Sequence, residues 1–238
     1  MNYSETLAKF EDNNHIIALI SVDEVLRFGY EAGFNENTRI LDLCCGYGTM
    51  LKVWSQAYGI SGVGVDMQKR FVEKGTERIK QAGVEDKIKL VVGDVLAYED
   101  NEKYDVVLCS ETFCSTIEET LAIGEKFLKD DGLLVYHKIF SKVPNPPQEL
   151  IDFEGEVLPL TQLNQVFNGL GYYISYMVSD SDSKWENYIF SDIKKSYDKL
   201  KSDPNDEQSR QWIDKWTSMY FEYRRPYQGQ GLFGLVKL

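Results

Sequence analysis

From Ile40 to Phe140 the apolar residues fall into short continuous runs, most of them closed by an acid or a glycine. "RILDLCC", "ISGVGVD", "KIKLVVGD", "YDVVLCSE" and "GLLVYHKIF" read as five buried strands. The stretches between them carry apolar residues at helical spacing. "GTMLKVWSQAYG" is closed by Gly59, "QKRFVEKGTERIKQAG" by Gly83, and a third helix is expected around "IEETLAIGEKFLK". Strands that lose the polar alternation are buried on both faces, so the pattern predicts a parallel sheet with helices on either side. Upstream, "NHIIALISVDEVLRFGY" sets Ile16, Leu19, Ile20, Val22, Val25 and Leu26 on one helical stripe, with Gly33 as its stop. After "VPNPPQ" the rhythm changes. "TQLNQVFNGLG" predicts a helix, "YYISYMVSD" a sixth strand and "QGLFGLVKL" a seventh. A long polar helical segment lies between the last two, broken at Asp203-Pro204.

The fold class that follows is α/β: a Rossmann-like sheet of seven strands, mostly parallel with an antiparallel last strand. The chain of 238 residues reads as one domain. Its expected attachments are an N-terminal helical lid at about 1–33 and a helical insertion at about 183–227 acting as a cap.

Charge narrows the partners. The net charge is −12, and it is unevenly placed. From Ser179 onward ten acids face ten bases, whereas residues 1–178 hold 28 acids and 16 bases. Such a surface repels a phosphate backbone, so a nucleic-acid partner is not expected. No stretch approaches the apolar length of a membrane span, and the opening residues have no basic and apolar leader pattern. A cytoplasmic protein is expected, with its four cysteines as free thiols, and either a monomer or a homodimer remains open.

Chemistry gathers where the strands end. In open α/β sheets, ligands bind outside the carboxyl ends of the strands. Four strands end here in candidate ligands: Asp42, Asp66, Asp94, and the pair Ser110-Glu111. Asp66, 20 residues after Gly46, suits the two hydroxyls of a ribose, and Asp94 follows Gly93, where the chain can approach a flat base. The turn itself, Cys44-Cys45-Gly46-Tyr47-Gly48-Thr49-Met50, lacks the third glycine of a dinucleotide fingerprint, and no P-loop is present. An acid at Asp42 would repel a pyrophosphate and attract an ammonium. A ligand with a ribose, a base and an amino-acid cation is S-adenosylmethionine.

On these residues the chain resembles the class I S-adenosylmethionine-dependent methyltransferases. "ILDLCCGYG" is similar to their first motif, with Cys44 where the first glycine usually sits. "GVGVDMQ" resembles the second motif, "VVGDVLAYE" the third, "FLKDDGLLVYHK" the region of the fifth strand and "LFGLVKL" the final strand. "YMVSDSDSKWENY", the helical pair and a later Y-x-x-R segment look like a little-characterised small-molecule subgroup. That subgroup has a W-x-x-Y segment and a helical insertion before the last strand. The resemblance implies a cofactor set of Asp42, Cys44, Gly46, Tyr47, Gly48, Asp66, Met67, Gly93, Asp94, Val95 and Ser110. Met67 would pack on the adenine, and Ser110 would contribute near the sulfonium. Each has a plainer alternative: Asp42 as a helix-dipole partner, the glycines as a tight turn, Met67 as core.

Methyl transfer needs an aligned acceptor and a dry site, and a base only if the acceptor loses a proton. Glu111 and His137 are the catalytic candidates, His137 because its ordinary titration range suits proton transfer. In the insertion, Trp185, Tyr188, Tyr223 and Arg225 are the substrate candidates, and Arg225 would hold a carboxylate or phosphate unless a local acid claims it. Trp212 and Trp216 read as packing. The cysteines lack zinc-site spacing and are expected to be small packing residues, so no metal is expected. The expected activity is methyl transfer to a small molecule. The alternatives are a methyltransferase acting on a protein or RNA, a non-catalytic cofactor-binding module, and a nicotinamide-dependent oxidoreductase.

Overall fold

The computed structural model describes residues 20–110, 114–155, 157–179 and 182–237. Its strands are β1 (Arg39–Leu43), β2 (Ser61–Asp66), β3 (Ile88–Val92), β4 (Tyr104–Ser110), β5 (Leu128–Ser141), β6 (Tyr172–Ser179) and β7 (Gln228–Lys237). They form one sheet in the order β3-β2-β1-β4-β5-β7-β6. β1 to β5 pair in parallel, and β7 runs antiparallel to both of its neighbours, β5 and β6. Strand order reverses between β1 and β4, which opens a crevice beyond their carboxyl ends.

Helices α1 (Val22–Glu31), α2 (Thr49–Tyr58) and α3 (Lys69–Gln81) come first in the chain, followed by α4 (Ile117–Glu125), α5 (Gln148–Glu154) and α6 (Leu160–Gly169). Two buried clusters result, one including Phe28, Trp54 and Val135, the other Leu43, Tyr136 and Phe233. α1 begins with a capping box: Ser21 Oγ accepts from Glu24 N–H, and Glu24 Oε2 accepts from Ser21 N–H at 2.7 Å. It is tied to α2 by Trp54 Nε1–H donating to the Val25 carbonyl at 2.7 Å and Tyr58 O–H to that of Leu26. Gly29 lets the two helices close up, since a Cβ there would lie 2.6 Å from the Tyr58 ring. The lid expected over residues 1–33 lies outside the described residues up to residue 19.

Two helices depart from the sequence pattern. The helix expected to run on through "EKFLK" stops at Glu125, because Phe127 turns into the core and Leu128 joins β4 beside Tyr104. The short helix α5 follows Pro147 and is too brief to show a period. Between β6 and β7 lie α7 (Asp182–Ser202) and α8 (Glu207–Met219), which break at Pro204 as expected and share a small core of Ile189, Ile193, Ile213 and Tyr220. A π-helical turn at Tyr220–Arg224 leads back to the sheet through a short helix, Arg225–Tyr227. No helix among the described residues is long and apolar enough to cross a membrane.

Candidate functional site

The turn after β1 is built from left-handed backbone. Cys44 has φ +68°, Gly46 +57° and Gly48 +63°. The N–H groups of Cys44 and Cys45 both donate to the Val65 carbonyl, at 2.9 and 3.1 Å, which fastens the turn to the end of β2. Gly48 then caps α2, and a Cβ there would lie 2.7 Å from Leu90 Cδ2. The position where the motif usually has glycine is thus one that needs positive φ, and Cys44 meets it at a strain of about 1 kcal/mol. It is the one described non-glycine residue in that region.

Two acids sit beneath the turn. Asp66, 8% exposed, accepts from Gly46 N–H through Oδ2 and from Gln68 N–H through Oδ1, both at 2.8 Å. Each carboxylate oxygen keeps a second lone pair for a ligand. Asp42 is buried in β1 at 4% exposure. Burial, and then the charge of Asp66, push its carboxyl up to about 8. No cation enters its surroundings among the described residues. Asp94 stands exposed after β3, and its Oδ1 accepts from Leu96 N–H at 2.9 Å.

These groups face a cavity of about 670 Å³. Of the expected cofactor residues, Asp42, Cys44, Gly46, Tyr47, Asp66, Met67, Gly93, Asp94, Val95 and Ser110 line it, and Gly48 lies behind the turn as the α2 cap. Met67 and Leu96 are 69% and 60% exposed, two apolar side chains left bare at the mouth. The wall also includes residues that sequence reasoning passed over: Cys45, Thr49, Met50, Gln68, Phe71, Leu96, Leu108, Ile139 and Gln230. Phe71 stands edge-on to Tyr47, centroids 4.9 Å apart, and the Arg78 guanidinium lies 4.5 Å from the Tyr47 ring on its own account. A signal for Gln230 existed in the sequence: "QGQG" sets two carboxamides on one face at the head of an apolar strand.

The catalytic and substrate candidates fare differently. Glu111 lies outside the described residues. His137 lines the cavity but is only 7% exposed, and burial lowers its pKa to about 4. Near neutral pH the buried imidazole is therefore held in its neutral form. Its Nε2 is buried without a hydrogen-bond partner among the described residues. Arg225 does not line the cavity. It is ion-paired with Glu186 at 3.3 Å and Asp182 at 3.7 Å, so local acids claim it. Tyr223 is also outside the cavity wall. Trp185 and Tyr188 fall on α7, and their side chains lie outside the described part. Trp216 packs edge-on against Phe153 at 5.6 Å, whereas Trp212, 44% exposed, touches the fold through Trp216. All four cysteines are free, and the described residues hold no group of three His, Cys, Asp or Glu placed for a metal ion.

Known proteins share this arrangement. Residues 40–132 match the family described as a methyltransferase domain. Over 212 residues the chain is 28% identical to "Uncharacterized protein YjhP" of Escherichia coli (strain K12), 84% of each chain being covered. The X-ray structure of YjhP superposes with a TM-score of 0.84 at 24% identity, over 98% of this chain and 99% of that one. An S-adenosylmethionine-dependent methyltransferase from Thiobacillus denitrificans, solved with S-adenosyl-L-homocysteine, superposes with a TM-score of 0.85 at 23% identity, over 100% of this chain and 99% of that one. A shorter match, 33% identical over 111 residues and 44% of each chain, is to demethylmenaquinone methyltransferase of Staphylococcus aureus (strain JH9). Residues 40–132 are thus similar to a methyltransferase domain, and the chain as a whole has the fold of solved S-adenosylmethionine-dependent methyltransferases.

Proposed function

We propose that the chain binds S-adenosylmethionine in this cavity and methylates a small-molecule acceptor in the cytoplasm. The observation that carries the reading is the buried, cation-free Asp42 beside the backbone-locked Asp66. This donor set fits the cofactor. Asp42 offers a carboxyl to an ammonium, Asp66 offers lone pairs to ribose hydroxyls, and Asp94 stands beside the base position. Met67 and Leu96 supply the apolar cover a flat base needs. When bound, the cofactor supplies a methyl group activated on a sulfonium. The chain's own part is to orient that group towards the β4–β5 side of the cavity, where Ser110 and His137 lie, and to keep water out. Glu111 is the remaining candidate for a base or acceptor ligand.

A small acceptor is favoured by a cavity of about 670 Å³ at the strand ends, and the acid-rich surface disfavours nucleic acid. The Staphylococcus aureus relative is named for a small molecule, demethylmenaquinone. Four free thiols suit a reducing compartment. The test is calorimetric titration of cofactor-free protein with S-adenosylmethionine and S-adenosylhomocysteine, on wild type and Asp66→Ala. Micromolar binding is expected, about −8 kcal/mol, weakened at least about tenfold in the variant. Folded wild-type protein that binds neither ligand refutes the reading.

A further inference from the structure

β5 and β7 lie side by side, with His137 facing Leu232, Ile139 facing Gln230, and Ser141 facing Gln228. The strand period of two places all six on one face of the sheet. His137, Ile139 and Gln230 line the cavity, and Gln228 is the next position along that face, towards the carboxyl end of β5. In sheet order this seam lies beyond β4 from Asp42 and its strand β1.

The seam carries polar groups that the fold does not use. His137 Nε2 is buried without a partner among the described residues. Gln228 is 1% exposed, and neither its Oε1 nor its Nε2 has a partner among them. Buried polar atoms are nearly always hydrogen-bonded, and leaving them unpaired works against stability. Three such atoms on one strand face, running out from a cavity, are what a site for a hydrogen-bonding ligand leaves behind when it is built in advance.

Charge narrows the ligand. The described cavity wall holds the carboxyls of Asp42, Asp66 and Asp94 and no lysine or arginine. On the seam side its residues are Leu108, Ser110, His137, Ile139 and Gln230, all uncharged groups at neutral pH. At the seam itself an ion of either sign would face only neutral dipoles and leave water without a described counter-ion beside it, and an anion would in addition face the acids across the cavity.

We propose that the β5–β7 seam is the acceptor subsite, and that the acceptor is an uncharged molecule that both donates and accepts hydrogen bonds. Its polar groups meet His137 Nε2 and the Gln230 carboxamide, and the Gln228 carboxamide lies behind them, one position further along the same face. This rests on the methyltransferase reading above. A neutral imidazole and two carboxamides each offer one donor side and one acceptor side, and a site built that way rejects analogues that leave those groups unpaired.

The test uses three isosteric probes on S-adenosylhomocysteine-saturated protein, read by ligand-observed NMR: benzamide, benzoate and benzamidinium. The S-adenosylhomocysteine titration comes first, so a failure of the cofactor reading is seen before any probe is added. Benzamide should bind at least about tenfold more tightly than either charged probe. His137→Phe and Gln230→Met should each weaken benzamide at least about fivefold, with S-adenosylhomocysteine affinity moving less than about threefold. Gln228→Met should raise Tm by about 2–4 °C, since an unpaired carboxamide gives way to an apolar chain of similar length. A charged probe that binds as tightly as benzamide overturns the proposal. So do benzamide binding unmoved by both cavity substitutions, the failure of every probe to bind, and a Tm lowered by Gln228→Met.

Discussion

The carboxyl of Asp42 should lose its proton when the cofactor arrives. In the free protein it titrates at about 8, held up by burial and by Asp66. At pH 6.5 such a group is roughly 97% protonated, and an ammonium brought to about 4 Å favours its ionised form by about 4 kcal/mol at an effective dielectric constant near 20. That is about 3 pH units, enough to carry the bound carboxyl well below the assay pH and release close to one proton per site. The ligand's own α-ammonium stays charged at this pH, so the proton comes from the protein. The assay is titration calorimetry with S-adenosylhomocysteine at pH 6.5, in buffers of widely different ionisation enthalpy. The slope of observed heat against buffer enthalpy counts the protons. Asp42→Asn should bring that slope close to zero. The same linkage acts on folding. The folded-state pKa lies above the ordinary carboxylate value of about 3.9, so the folded protein holds a proton that the unfolded chain has lost, and stability falls as pH rises from about 4 to 8. Asp42→Asn should flatten that decline and stabilise the ligand-free protein more at pH 8 than at pH 5. A wild-type slope of zero, or an equal slope in Asp42→Asn, refutes the reasoning.

Two further substitutions probe the frame around the site. Cys44→Gly exchanges left-handed strain of about 1 kcal/mol for a similar cost in unfolded-chain entropy, so its Tm should move by less than about 2 °C. Cys44→Val puts a β-branched residue at positive φ and should lower Tm by at least about 4 °C in scanning calorimetry; equal effects from the two would refute the assignment. Glu154→Gln removes the carboxylate from Arg224, whose guanidinium is packed between the Phe153 and Trp216 rings. Urea unfolding should show a loss of about 3 kcal/mol, and a loss below about 0.5 kcal/mol would mean the pair is solvent-screened.

The half of the site contributed by β1, β2 and β3 was legible in the sequence because each acid stands at the end of its own strand, within one apolar run. The burial of Asp42 follows from the same run, since a residue inside "RILDL" has both sheet faces covered. The seam half was not legible. Gln230 meets Ile139 only because β7 inserts between β5 and β6, a pairing across the whole insertion that no local period reports. His137 was visible as a residue but its pKa was not, because burial on a sheet face is set by what packs over it. For Arg225 an ion pair with a local acid was open from the sequence, but not which acids would form it. Its partners Asp182 and Glu186 lie about 40 residues away in sequence, at the start of α7, and helix packing brings them within reach. The overrun at "EKFLK" reflects the weakness of helical spacing near a strand, where Phe127 and Leu128 satisfy either pattern.

The position of β7 also sets the order in which the molecule can be assembled. β6 hydrogen-bonds to β7 alone, and β7 emerges only after α7 and α8 have been made. Until then the nascent sheet ends at β5 and exposes an open edge, while β6 waits without a strand to join. The loop that must close spans the helical pair, a long-range step that comes late and slowly. The β5–β7 seam is therefore the last part of the sheet to form, and a chaperone that holds the unfinished chain would shield the open edge of β5.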